Sequence, residues 1–139
     1  MKTVLAFGTF DILHPGHLSY LAQAKMLGER LVVVVATDAN VKRIKGKAPL
    51  NSQENRRALV AALKIVDLAI VGFEDDMIKS VEKVRPEVVA LGYDQVRSEM
   101  ELDKIFRARG IYAEIVRLKP FNPDEFKSSK IREKIGSLK

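Results

Sequence analysis

The chain has no cysteine and no tryptophan, only 6% aromatic residues and just two histidines. Without cysteine there are no disulfides, no thiol nucleophile and no cysteine-ligated zinc. No apolar run approaches the ~20 residues that a membrane helix needs, so no membrane span is expected. No signal-peptide pattern precedes the first strand, because Met1-Lys2-Thr3 leads straight into it, and a soluble cytoplasmic protein is the expectation. The low aromatic content offers no stacking platform for single-stranded nucleic acid, and no base-reading motif is visible. Nucleic acid is therefore not an expected partner, although the formal net charge is +6. An excess of that sign also suits phosphorylated small molecules.

The 139 residues suit a single domain, 1–139, and strand patterns alternate with helix patterns along it. Thr3 to Phe7 is the first strand. Pro15 to Leu27 is a helix with Leu18, Leu21, Ala22 and Leu27 on its apolar side and Gly28 as its cap. Leu31 to Ala36 is a continuous run rich in β-branched residues, as in a strand buried on both faces. Residues 38–50 are polar and basic and read as a loop with at most one helical turn. Asn51-x-x-Glu54 suggests a capping box for a helix from Ser52 to Leu63. Strands at Asp67–Val71, Val88–Leu91 and Ile111–Val116 alternate with helices at Asp76–Lys83, Ser98–Arg109 and Ser128–Ile135. The pattern predicts an α/β, Rossmann-like, doubly wound and mainly parallel five-stranded sheet with helices on both faces. Ligands of such sheets bind beyond the carboxyl ends of the strands.

The most informative segment is Gly8-Thr9-Phe10-Asp11-Ile12-Leu13-His14-Pro15-Gly16-His17, placed where the first strand turns into the first helix. A helix N-terminus attracts anions through its unpaired N–H groups and its dipole. His14 and His17 add side-chain donors there, Pro15 suits the first helical turn, and Gly16 lets a ligand approach the backbone. The spacing His-x-x-His is also compatible with a zinc pair closed by carboxylates, or with structural turn residues.

Other segments converge on the same sheet edge. Lys42-Arg43-Ile44-Lys45-Gly46-Lys47 follows the second strand, where Lys45 and Lys47 could reach a triphosphate; a solvated basic loop is the plainer reading. Arg56 and Arg57 open a helix, where positive charge is unfavourable, so at least one should have an anionic partner, whether a phosphate or a carboxylate such as Glu54 or Asp67. Asp94, in Gly92-Tyr93-Asp94-Gln95, could accept from a ribose or base, help hold Mg²⁺, or simply cap a turn. Ser128 and Ser129 stand where a helix N-cap is expected.

The turn from Gly8 to His17 resembles the signature of the cytidylyltransferase-like nucleotidyltransferases, which transfer a nucleotidyl group from a nucleoside triphosphate and release pyrophosphate. Within that superfamily, Val41-Lys42 through Lys45-Gly46, Arg56-Arg57 through Lys64, Leu91 to Gln95 and Glu114 to Arg117 look like the archaeal-type FAD synthases. The glycerol-3-phosphate cytidylyltransferases are the alternative; their glycine-containing segment before the last helix is replaced here by Lys119-Pro120-Phe121-Asn122-Pro123. A non-catalytic nucleotide-binding regulator is the lesser alternative.

The resemblance implies ATP and FMN as substrates and Mg²⁺ carried with the nucleotide phosphates, with no separate protein-bound metal. It implies His14, His17 and Lys45 as catalytic residues. Gly8, Thr9, Phe10, Pro15, Gly16, Asp94, Ser128 and Ser129 would join the two histidines in binding nucleotide, with Asp11 and Arg56 at the acceptor. A homodimer is the assembly suggested by analogy with the fold.

Overall fold

The computed structural model describes residues 1–120. Its elements are β1 (Thr3–Gly8), α1 (Pro15–Lys25), β2 (Arg30–Val35), α2 (Asp38–Lys45), α3 (Gln53–Ala61), β3 (Leu68–Val71), α4 (Lys79–Val84), β4 (Val88–Leu91), α5 (Glu99–Ala108) and β5 (Glu114–Arg117). The expected helix at Ser128–Ile135 lies outside the described residues.

All strand pairs are parallel, in the order β3-β2-β1-β4-β5. Alternation along the strands sends side chains to opposite faces and divides the core in two. Val4, Ala6, Leu31, Val33 and Val35 pack with Leu21 and Ala24 of α1 and Val60 of α3. Leu5, Val32 and Val34 pack with Val81 of α4 and Leu102 and Phe106 of α5. Helices therefore cover both faces. The chain leaves β1 toward β2 on one side and returns to β4 on the other, so the switch point lies between β1 and β4.

Tyr20 marks that point. Its hydroxyl accepts from Phe7 N–H at 3.2 Å and donates to Ala90 C=O at 2.8 Å. The phenol thus bridges the two strands near their carboxyl ends, and burial pushes its pKa up to about 12.

Several local expectations are corrected. Residues 38–45 form a helix of 8 residues rather than a loop; Thr37 caps it, its hydroxyl accepting from Asn40 N–H at 3.1 Å. The buried residues of α1 are Leu21 and Ala24, while Leu18 is 43% exposed. The stripe of α1 turned to the sheet runs His17, Tyr20, Leu21, Ala24, and two of those positions are polar. Gly28 does not cap α1, which ends at Lys25 with Met26 as its C-cap. A Cβ there would lie 2.7 Å from Lys2 C=O, so Gly28 serves close approach to β1. The cap of α3 is Ser52, accepting from Asn55 N–H at 3.2 Å, because Asn51 is engaged elsewhere.

Candidate active site

A cavity of about 590 Å³ opens at the carboxyl ends of β1 and β4, within the usual size range of small-molecule sites. It brings together the motif turn (Gly8, Thr9, Phe10, Asp11, His14, Gly16, His17), Lys45 at the end of α2, and Asp94 in the loop after β4. Pro15 opens α1 beside it. Ser128 and Ser129 lie outside the described residues. Lys47 does not reach the cavity wall.

The two histidines cap their own helix. Gly16 N–H donates to His14 Nδ1 at 3.1 Å, His14 N–H donates to His17 Nδ1 at 3.3 Å, and His17 N–H donates to His14 C=O at 2.9 Å. The amides expected to meet an anion are therefore already paired. What remains is the opposite edge of each ring. With Nδ1 accepting, each neutral imidazole carries its proton on Nε2, as assigned from these hydrogen bonds. The rings stack at 3.9 Å between centroids. Burial, then His14 and Lys45, hold the His17 pKa down at about 4 against the opposing pull of Asp94. Burial also lowers that of His14. Two neutral donors at a helix N-terminus can hydrogen-bond phosphate oxygens without offering a base.

Phe10 sets the shape of the turn. It has φ +53°, a region that bulky residues rarely adopt. Its ring is 2% exposed and meets His17 edge-on at 5.3 Å. A Cβ on Gly8 would lie 2.5 Å from that ring, so Gly8 makes room for Phe10.

Arg56 does not reach the cavity, contrary to its expected place at the acceptor. It is fully buried. Its guanidinium donates to Thr9 C=O at 2.8 Å, to Asn51 C=O at 3.0 Å and to Asp38 Oδ1 at 2.7 Å. Arg57 pairs with Glu54 at 3.2 Å. Asp11 lines the cavity, but its carboxylate accepts from Leu50 N–H at 2.8 Å and Asn51 N–H at 2.9 Å. Burial alone would raise its pKa; those amides, the Asn51 side chain and nearby Arg56 hold it below the usual value.

Four contributors had no place in the sequence reading of the site. Tyr20 and Lys119 line the cavity; Tyr20 stands three positions after His17, on the same helical face. Gln23 holds the segment after β5, donating to Lys119 C=O at 3.0 Å and accepting from Lys119 N–H at 3.2 Å. Arg117 gathers the loop after β4, donating to the carbonyls of Gly92 (3.2 Å), Tyr93 (3.3 Å), Gln95 (3.0 Å) and Arg97 (2.8 Å). No local sequence signal identifies these last two partnerships.

A family model for cytidylyltransferase-like proteins matches residues 5–134. The chain belongs to the cytidylyltransferase-like family. Relatives of high similarity carry the name FAD synthase. One from Ferroglobus placidus is 52% identical over 99% of this chain and 90% of its own. One from Aciduliprofundum boonei is 47% identical over 94% of this chain and 87% of its own. The crystal structure of a lipopolysaccharide core biosynthesis protein from Thermoplasma volcanium GSS1 superposes with a TM-score of 0.84 at 47% identity, covering 88% of this chain and 99% of that one. A pantoate-beta-alanine ligase from Francisella tularensis shares the fold, with a TM-score of 0.64 at 15% identity over 95% of this chain and 65% of its own. The family and these relatives make the chain a nucleotidyltransferase. Among the described residues no helix is long and apolar enough to cross a membrane.

Proposed function

We propose that this protein is an FMN adenylyltransferase, moving AMP from ATP to FMN to give FAD and pyrophosphate. The observation that carries the reading is its similarity, over nearly the full chain, to proteins named FAD synthase. The chemistry of the cavity is compatible with it. An FMN phosphate oxygen bonds to the α-phosphorus of ATP, the bond from that phosphorus to the oxygen bridging toward the β-phosphate breaks, and pyrophosphate departs with the electron pair. The nucleophile is a phosphate already ionised at neutral pH, so no general base is required. Catalysis then rests on positioning and on neutralising charge.

The Nε2–H groups of His14 and His17 are the donors that would meet phosphate oxygens as negative charge builds. Lys45 supplies a positive charge to the same space. Gly8, Thr9, Phe10, Gly16 and Asp94 form nucleotide-facing wall, Pro15 opens the helix beside it, and Ser128 and Ser129 are proposed to add phosphate contacts. The substrate form of ATP is taken as its Mg²⁺ complex, and the residues at hand fit that role. Among the described residues no group of three or more His, Cys, Asp or Glu side chains could hold a metal, and Asp11 is engaged with amides. A hard cation would thus be held mainly by phosphate oxygens, with Asp94 the other wall carboxylate that could assist. Because ATP and FMN are the proposed substrates, the cytoplasm is the proposed compartment.

The test pairs two reactions with Mg²⁺, one with ATP and FMN and one with CTP and glycerol 3-phosphate, each followed by chromatography. FAD with equimolar pyrophosphate in the first reaction alone is expected. CDP-glycerol in the second alone would reassign both substrates, and nucleotide binding without pyrophosphate release in either would point to a regulator.

A further inference from the structure

Arg56 is the largest fully buried side chain of the chain's described part, and burying a guanidinium is costly unless it is paired and hydrogen-bonded. Its three partners come from three separate segments: Thr9 in the motif turn, Asp38 in the first turn of α2, and Asn51 in the link to α3. The same link is clasped from the other side. Asn51 Nδ2 donates to Asp11 C=O at 2.7 Å, while the Asp11 carboxylate takes the Leu50 and Asn51 amides. The carbonyls of Thr9 and Asp11, on the two flanks of Phe10, and the Asp11 carboxylate are thus fixed, and Phe10 is the residue with φ +53°. A strained backbone of this kind persists only where its surroundings over-determine it. The Phe10 ring then bears on His17. Asp38 also opens the helix whose last residue, Lys45, lines the cavity.

We propose that Arg56, paired with Asp38, is a positioning residue: it holds the turn from Thr9 to Asp11 in its left-handed form and so sets His17 and Lys45 over the substrate phosphates. The kinetic part of this proposal rests on the adenylyl-transfer reading.

Arg56→Lys tests it, because one ammonium cannot span all three acceptors. Asp38→Asn keeps an oxygen acceptor for Arg56 and serves if the first variant folds poorly. Two readouts are needed. Steady-state kinetics with MgATP and FMN should give a kcat lower by about 10²-fold in Arg56→Lys, with a smaller fall in Asp38→Asn and both KM values little changed. In the substrate-free protein, an NMR titration of the His17 imidazole should move up from about 4 toward 6.5. His14, Lys45 and Asp94, the charged or titratable groups that act on His17, keep their chemistry in both variants, so the movement reports a change in how the turn and α2 place His17 and Lys45.

A raised KM for FMN with kcat restored at saturation would overturn the proposal in favour of an acceptor contact. An unchanged kcat and an unchanged His17 titration, with only a lower Tm, would overturn it in favour of a purely structural brace. The titration needs no substrate, so it decides the matter even if the chain makes no FAD.

Discussion

His17→Ala removes one donor aimed at charge that develops only during transfer, and the expected loss is about 10²-fold or more in kcat. The fold should persist, so circular dichroism and kcat measured together check the point. Gly8→Ala acts on the same turn by volume. Its new Cβ would lie 2.5 Å from the Phe10 ring, and that ring is too buried to yield. Overpacking of this kind costs about 1–3 kcal/mol, read as a lower denaturation midpoint with an accompanying loss of turnover. At this scale the sequence was legible where chemistry is contiguous. Gly8 to His17 is one strand-turn-helix unit, and all of its residues except Leu13 and Pro15 line one cavity. Arg56 was misplaced for a physical reason: its partner Thr9 is 47 positions away, and an arginine at a helix start looks the same whether it faces a phosphate or a buried carbonyl. The free amides expected at α1 were already taken by the histidines, because imidazole Nδ1 can cap a helix as a serine hydroxyl does.

Among the elements, the strands were easiest to read, since Leu31 to Val35 is unbroken apolar sequence buried on both faces. Helix α2 was the hardest. Its sequence is mostly polar and only Asn40 and Val41 are buried, so no apolar stripe announces it. Thr37 before Asp38 was the usable signal. That cap makes a prediction: Thr37→Ala should cost about 1 kcal/mol and loosen the helix that carries Lys45. The expected kinetic sign is a higher KM for MgATP with kcat less affected, measured alongside the melting temperature. Helix α1 was placed correctly but its buried face only in part: Leu21 is buried and Leu27 packs on the core, whereas Leu18 and Ala22 are exposed because His17 and Tyr20 occupy the sheet-facing stripe.

For the whole molecule, the depressed imidazole pKa values predict the direction of a pH effect. The unfolded chain binds protons at His17 from about 6.5 downward, whereas the folded chain does so only near 4. The stability is therefore fully present above 6.5 and is lost as the pH falls toward 4, with His14 shifted in the same sense. Melting temperature followed from pH 8 to pH 4.5 should fall across that window, and His17→Gln should flatten the slope. The sheet brings the three loops that follow β1, β2 and β4 to one edge, a convergence that the alternation of strands and helices foretold; the clasps made by Gln23 and Arg117 emerge only once the chain is folded. The most direct measurement is to follow labelled phosphate from ATP into products with FMN as acceptor. Label at the α-position is expected to enter FAD and label at the γ-position to leave in pyrophosphate, in equal amounts. Label from the γ-position in the flavin product, or no transfer of α-label to FMN at all, would contradict the adenylyl-transfer reading.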